Sequence, residues 1–344
     1  MGGGGDYVNG TVVRAILVGM LAAACNGCGG GGIEETSNPQ GKVGLVTDVG
    51  KVDDKTFNQS AYEGMMRAVS ELGLHGAFIE TTQPTDYEKN IQQFIDDGFG
   101  LIVTVGFMLG DATRTLALAH PEVSFAIVDF AYEPPLPNVR GMVFAEEQSG
   151  FLGGALAALM SKSKKIGFVG GKEIPPVVKF RLGYEAGARL VSPDCRVLSV
   201  YIDSFTDPAR GKAAAESQIA EGADVLFGCG GTTGSGAVKA ANDQGVFCIG
   251  VDQDEYLTTF SGGPAPYLLT SAMKRVDNAV YQAVKDYATG VFSAGTQVGV
   301  AANQGIDLAP FHDTETLIPL EVKARLAEIK AGLADGGIAT GVAL

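Results

Sequence analysis

VGLVTDVGKVDDKTFNQSAYEGMMRA, residues 43–68, is the stretch whose reading decides the fold. A short β-branched run ends at Asp48, a turn carries Gly50, Asp53 and Asp54, and a helical pattern starts at Phe57 and Asn58. In an open α/β sheet the loop beyond a strand's carboxyl end is where ligands sit. This loop offers carboxylates, a ring and an amide, and lacks the glycine-rich phosphate cradles G-x-G-x-x-G and G-x-x-x-x-G-K-[ST]. Carboxylates accept hydrogen bonds and rings stack on flat or apolar faces. The loop therefore suits a neutral, hydroxyl-rich or heteroaromatic molecule and repels phosphate. The competing reading is an ordinary turn with solvated acids and a core phenylalanine.

The chain has 344 residues, 46% of them hydrophobic, with 49 glycines and no tryptophan. That length exceeds what one core usually serves, which predicts two lobes. The composition fits a globular α/β protein with many tight strand-to-helix turns. A net charge of −14 excludes nucleic acid and anionic membrane surfaces as partners.

Arg14 precedes an apolar run, Ala15 to Ala24, that ends in small residues before Cys25. A positive residue, a run too short to span a bilayer and a small-residue end describe a secretory signal over 1–24. A cysteine directly after small residues resembles a bacterial lipoprotein box, in which Cys25 is lipidated and opens a flexible tether over 25–40. Ala22 stands where such boxes favour leucine. Cys25 and Cys28 form a C-x-x-C with no second pair, which argues against zinc. Cys195, Cys229 and Cys248 read as buried free thiols.

Beyond the tether, strand and helix signals alternate. Strand runs lie at 43–47, 77–81, 101–105, 124–129, 166–169, 197–202, 225–227, 246–251 and 267–271. Helix-length segments fill most of the gaps, at about 57–72, 86–97, 110–119, 147–161, 177–191, 208–221 and 235–244. This alternation predicts parallel sheets covered on both faces. It breaks once, between Asp129 and Phe151, where three prolines block helix and a short strand follows. The series opening KVGLVTD and KIGFVGG read as two similar lobes, with a crossing at 140–148. The expected division is 41–145 plus 253–289 for the first lobe and 146–252 plus 290–344 for the second.

Asp48, Asp129 and Asp252 each close a strand run, and Lys274 follows LLTSAM. A lone aspartate there is most often a helix cap or turn former. Three of them with a lysine point to a site in one crevice. The glycine loop 228–236 lacks a Walker lysine, so close backbone approach to a ligand or helix–strand packing explains it better than anion binding. His75, His120 and His312 fall outside these strand ends, and neither G-x-S-x-G nor H-E-x-x-H occurs.

TDVGKVDDKTFNQSAYEG, VGF at 105–107, PEVSFAIVD, VFAEEQSGFLGGALAA, IGFVGGKEIPPVVKFRLGYEAGA and LLTSAMKRVDNAVYQAV resemble the basic membrane protein family. These are purine-nucleoside receptor lipoproteins, the substrate-binding components of ABC importers, and the match runs from about Lys42 to Gly305. The resemblance implies a type I periplasmic-binding-protein fold: two doubly wound parallel-sheet lobes, three crossovers and a ligand in the cleft. By motif, Phe57 stacks on the base, with Phe180 as partner from the second lobe. Asp48 and Asn58 face the base and its surroundings, and Asp129 takes its N–H edge. Asp252 and Lys274 bind the ribose hydroxyls, and the Gly230-Gly231 backbone approaches the sugar. The implied ligand is inosine, guanosine or adenosine, with no cofactor. The implied partners are an ABC permease and a membrane reached through the lipid on Cys25, and the protein is a monomer on the extracytoplasmic face. Lys51 departs from the family's small residue, and GGTTGSG is one residue longer than the usual GGTGxG.

Acids beside a ring also disfavour nucleotides, whose phosphates would meet Asp48, Asp129 and Asp252. The competing functions are a binding protein of the same fold for a sugar or another small molecule, and an enzyme, either a nucleoside hydrolase or a glycosidase, using Asp48 or Asp129 as base. Free base released from inosine would mark the enzyme.

Overall fold

The computed structural model describes residues 14–15 and 41–342. The expected signal peptide and the lipidated tether with Cys25 therefore lie outside the described residues, apart from Arg14–Ala15. That pair forms β1, a two-residue strand antiparallel to β3.

Apolar runs bounded by turn residues become strands because a parallel strand buried on both faces is apolar throughout. β2 (Lys42–Val49), β3 (His75–Thr81), β4 (Leu101–Val105), β5 (Ser124–Val128) and β6 (Val139–Phe144) pair in parallel, joined through α1 (Phe57–Leu72), α2 (Tyr87–Asp96) and α3 (Gly110–Ala119). With β12 (Gly295–Gly299) at the far edge, the first sheet runs β1-β3-β2-β4-β5-β6-β12. The second repeats the scheme with β7 (Lys165–Gly170), β8 (Arg196–Tyr201), β9 (Val225–Cys229), β10 (Phe247–Asp252), β11 (Leu268–Lys274) and β13 (Ile306–Leu308), ordered β13-β11-β10-β9-β7-β8. Its helices are α4 (Glu146–Met160), α5 (Pro175–Val191), α6 (Pro208–Ala220), α7 (Gly231–Asp243) and α9 (Leu320–Asp335). α8 (Val276–Ala288) packs beside α1 on the first lobe.

The chain passes between the sheets three times, after Phe144, after Lys274 and after Gly299. The passages are bonded together: the Ala145 N–H donates to the Gly299 carbonyl at 2.8 Å, and the Arg275 N–H to the Gly305 carbonyl at 2.9 Å.

Two of these passages differ from the expected division. Residues 253–274 stay with the second sheet, because β11 finds its parallel partner in β10. The chain returns to the first lobe only at Arg275. Residues 290–299, expected in the second lobe, belong to the first through β12, which pairs with β6. β12 reads GTQVG and is mostly exposed, so no apolar run marks it. α7 also starts at Gly231, so most of the expected glycine loop is helix.

The abundance of glycine has a packing cause. A Cβ at Gly150 would meet the Phe180 carbonyl oxygen at 2.2 Å, and one at Gly154 the Tyr184 oxygen at 1.9 Å. Reciprocally, Gly183 faces the Glu147 oxygen at 2.1 Å and Gly187 the Phe151 oxygen at 1.9 Å. Two G-x-x-x-G faces thus press α4 and α5 together, backbone to backbone. Gly211 and Gly236 do the same for α6 and α7, and Gly64 lets α1 touch Asp277 at the start of α8.

A Cβ at Gly153, by contrast, would have its nearest neighbour at 3.8 Å. Gly154→Ala and Gly187→Ala should each destabilise by about 1–3 kcal/mol or more through overpacking. Gly153→Ala should be neutral or stabilising by up to about 1 kcal/mol, the helix-propensity difference. Denaturant unfolding of the three variants checks this, and equal costs at Gly153 and Gly154 would refute it.

Candidate functional site

The carboxyl ends of β2, β5, β9, β10 and β11 face one another between the lobes, where they enclose a cavity of about 260 Å³. Asp48, Phe57, Asn58, Asp129, Phe180, Gly230, Gly231, Asp252 and Lys274, every residue expected at the site, line it. None of the three histidines does.

Lys274, at the end of β11, is 2% exposed and forms the floor. Its Nζ lies 2.7 Å from Asp129 Oδ2, 3.5 Å from Glu146 Oε1 and 3.9 Å from Asp252 Oδ1. It also sits 4.8 Å from the Phe57 ring centroid and 5.8 Å from that of Phe180. Glu146 was not foreseen. It opens α4 at the first passage and holds Lys179 Nζ at 2.8 Å.

Burial pushes the Lys274 ammonium toward neutrality, but attraction from Asp129, Asp252 and Glu146 outweighs it and holds the proton. Burial pushes the Asp129 carboxyl up against the pull of Lys274. For Asp252 burial raises it to about 7, again opposed by Lys274. Asp129 and Asp252 both have φ of 64°, an uncommon value for a residue with a side chain. Each keeps its buried Oδ1 without a hydrogen-bond partner. Buried polar atoms are ordinarily bonded, so two unpartnered carboxylate oxygens in one cavity call for donors from a ligand.

On the first-lobe wall, burial also raises the Asp48 carboxyl. Its Oδ1 accepts from the Tyr87 hydroxyl and from the Val49 N–H at 2.6 Å, while Oδ2 lies where a Cβ on Gly106 would come within 3.0 Å. Asp54 has a different job from the one its position in the loop indicates. Its carboxylate accepts from the N–H groups of Thr56, Asn58 and Gln59 at 3.0, 3.0 and 3.1 Å, capping α1. That cap fixes where Phe57 and Asn58 point.

The second-lobe wall contains a residue that sequence reading missed. Phe205, between β8 and α6, lines the cavity, and the Thr233 N–H donates to its carbonyl at 3.2 Å. A Cβ at Gly230 would meet its ring at 3.1 Å, and one at Gly231 its carbonyl oxygen at 2.5 Å. Both glycines have positive φ, 110° and 58°. They make room for Phe205 as well as bordering the cavity. Phe180 is buried, its ring 6.0 Å from Phe227 and T-shaped to it.

Two parallel-sheet lobes, three passages and a ligand-sized cleft at the strand ends define the class of two-lobed solute-binding proteins. The family described as ABC transporter substrate-binding protein, PnrA-like, matches residues 42–311, and the chain belongs to it. The chain is 33% identical to the ABC transporter nucleoside-binding protein BmpA of Lactococcus lactis, over 95% of this chain and 97% of that one. It is 32% identical to basic membrane protein A1 of Borrelia garinii, over 88% of each. A solute-binding protein of an ABC transporter system from Aeropyrum pernix superposes with a TM-score of 0.80 at 26% identity, covering 87% of this chain and 92% of that one.

The raised carboxyl of Asp252 has a consequence for stability. An acid that is harder to ionise folded than unfolded holds an extra proton in the folded state. Its contribution is full below the unfolded value of 3.8 and is lost as pH rises through about 7. Asp252→Asn should therefore gain in stability relative to wild type as pH rises from about 4 to about 7, and keep that gain above it. Thermal melts across that range test it; parallel curves would show that Asp252 ionises normally.

Proposed function

We propose that this chain is the extracytoplasmic, lipid-anchored binding component of an ABC importer, and that it captures a purine nucleoside in the interlobe cleft and delivers it to a permease. The observation that carries the reading is the pair of buried carboxylate oxygens without a hydrogen-bond donor, on Asp129 and Asp252, in the same cavity as the Phe57 ring. A nucleoside brings what this floor lacks: N–H and O–H donors on a molecule with a flat face. Phosphate groups would meet buried carboxylates, so nucleosides should bind in preference to nucleotides. The names of the Lactococcus and Borrelia relatives support the assignment. Asp129 takes the N–H edge of the base, Asp252 and Lys274 the ribose hydroxyls, and Phe57 with Phe180 the faces of the ring. The protein works as a monomer without a cofactor.

Calorimetry with inosine, guanosine, adenosine, free bases, pentoses and nucleotides tests this directly. Base stacking on an aromatic side chain contributes about 1–3 kcal/mol. Phe57→Ala should weaken nucleoside binding about 5- to 150-fold. Asp129→Ala should cost a comparable amount, while Asp252→Ala should narrow the gap between a nucleoside and its free base. Nucleoside Kd values unchanged in Phe57→Ala would reduce Phe57 to core packing.

Cys25, whose lipid would anchor the chain, is tested by fractionation. Cys25→Ser should move the protein from membranes to the soluble exported fraction. A wild type that is already soluble and retains residues 1–24 would overturn the anchor.

A further inference from the structure

Asp252 does not stand alone at the end of β10. The N–H of Gln253 donates to the Val251 carbonyl at 2.7 Å, across the positive φ of Asp252. That is a γ-turn of the rare, strained kind. Strain of this sort persists only where the surroundings over-determine it. Here the Val251 N–H donates to Glu255 Oε1 at 3.1 Å, and the Glu255 N–H donates to Ser271 Oγ at 3.0 Å. Beyond the turn, Asp254 Oδ2 lies 2.7 Å from His312 Nε2, and the Tyr256 ring stacks on His312 with centroids 4.0 Å apart. Residues 251–256 are thus tied to the second lobe at several points.

The same turn throws the Gln253 side chain across the cleft. Its Nε2 donates to the Thr56 carbonyl at 2.9 Å, in a buried contact with the first lobe. Thr56 immediately precedes Phe57 and Asn58, and its carbonyl also accepts the Ser60 N–H of α1 at 3.0 Å. One short turn therefore aims a carboxylate into the cavity and bolts the opposite wall, at the point where that wall presents its ring. Gln253 itself is not among the cavity-lining residues.

We propose that Gln253 is a positioning residue, a latch that couples ligand contact at Asp252 to closure of the lobes through the Thr56 carbonyl. The latch rests on the nucleoside reading above. Because the turn is already rigid, a ligand that bridges Asp252 on one lobe and Phe57 on the other brings Gln253 into register with the Thr56 carbonyl, and the closed form persists. The latch acts after encounter, so it governs how long the ligand stays and leaves its arrival untouched.

The test uses the full mature chain with Gln253→Ala and Gln253→Glu, measuring nucleoside association and dissociation by surface plasmon resonance and particle radius by solution scattering. Losing one buried neutral hydrogen bond should raise koff roughly 3- to 15-fold with kon unchanged. Gln253→Glu should lose more, since it sets an acceptor against a carbonyl. The ligand-free melting temperature should stay at the wild-type value, which separates a latch from a merely structural contact. The nucleoside-bound variants should have a larger radius than bound wild type. If wild type binds nucleoside and both variants match its koff and radius, the latch is overturned and the ligand stands. If wild type binds no nucleoside, the ligand reading falls. The latch, which rests on that reading, then falls with it.

Discussion

A lysine ammonium with almost no contact with water is the constraint on which the site depends. Burying a charge is costly unless it is paired and hydrogen-bonded. Lys274 meets that condition only because the two lobes and the first passage each supply a carboxylate: Asp129 from the end of β5, Asp252 from the end of β10 and Glu146 from the start of α4. Removing one partner of a buried pair typically costs about 3–5 kcal/mol, since the remaining charge is left uncompensated. The cluster carries more acid than base around its lysine, and the surplus falls on Asp129 and Asp252, which line the cavity and each keep one oxygen without a hydrogen-bond partner. Charge balance between the lobes and hydrogen-bonding capacity toward a ligand are one arrangement.

That arrangement in turn relies on how closely α4 and α5 approach. The glycine faces at 150, 154, 183 and 187 set the two helices backbone to backbone, and this seats Lys179 of α5 against Glu146 of α4. Glu146 then turns its other oxygen toward Lys274. The many glycines are therefore more than turn formers. Several are contact surfaces, and the electrostatics of the cleft rest on them.

Much of this was legible in the sequence because the βα alternation is carried by apolar strands buried on both faces, which differ sharply from the turns between them. The ends of those strands converge by topology, so Asp48, Asp129, Asp252 and Lys274 could be gathered into one crevice from their positions alone. The missed features had weak local signals. β12 is short, polar and exposed, and its membership in the first sheet is set by a partner about 150 positions earlier in the chain. Phe205 sits in S-F-T-D-P, which reads only as a helix start. Asp54 looked like a free acid beside Asp53, but three N–H groups at the head of α1 claim it. Glu146 lay inside a quoted motif, yet nothing local marks it as the partner of a lysine 128 positions away.

The threading of the chain also dictates an order of events at birth. The first sheet cannot gain its edge strand until Gly299 has been made, nor the second until Leu308 has. Neither lobe is a single contiguous piece of sequence. Contacts of such large sequence separation form slowly, because the loop must close before it is rewarded. A nascent chain therefore stays without its finished sheets until it is nearly complete.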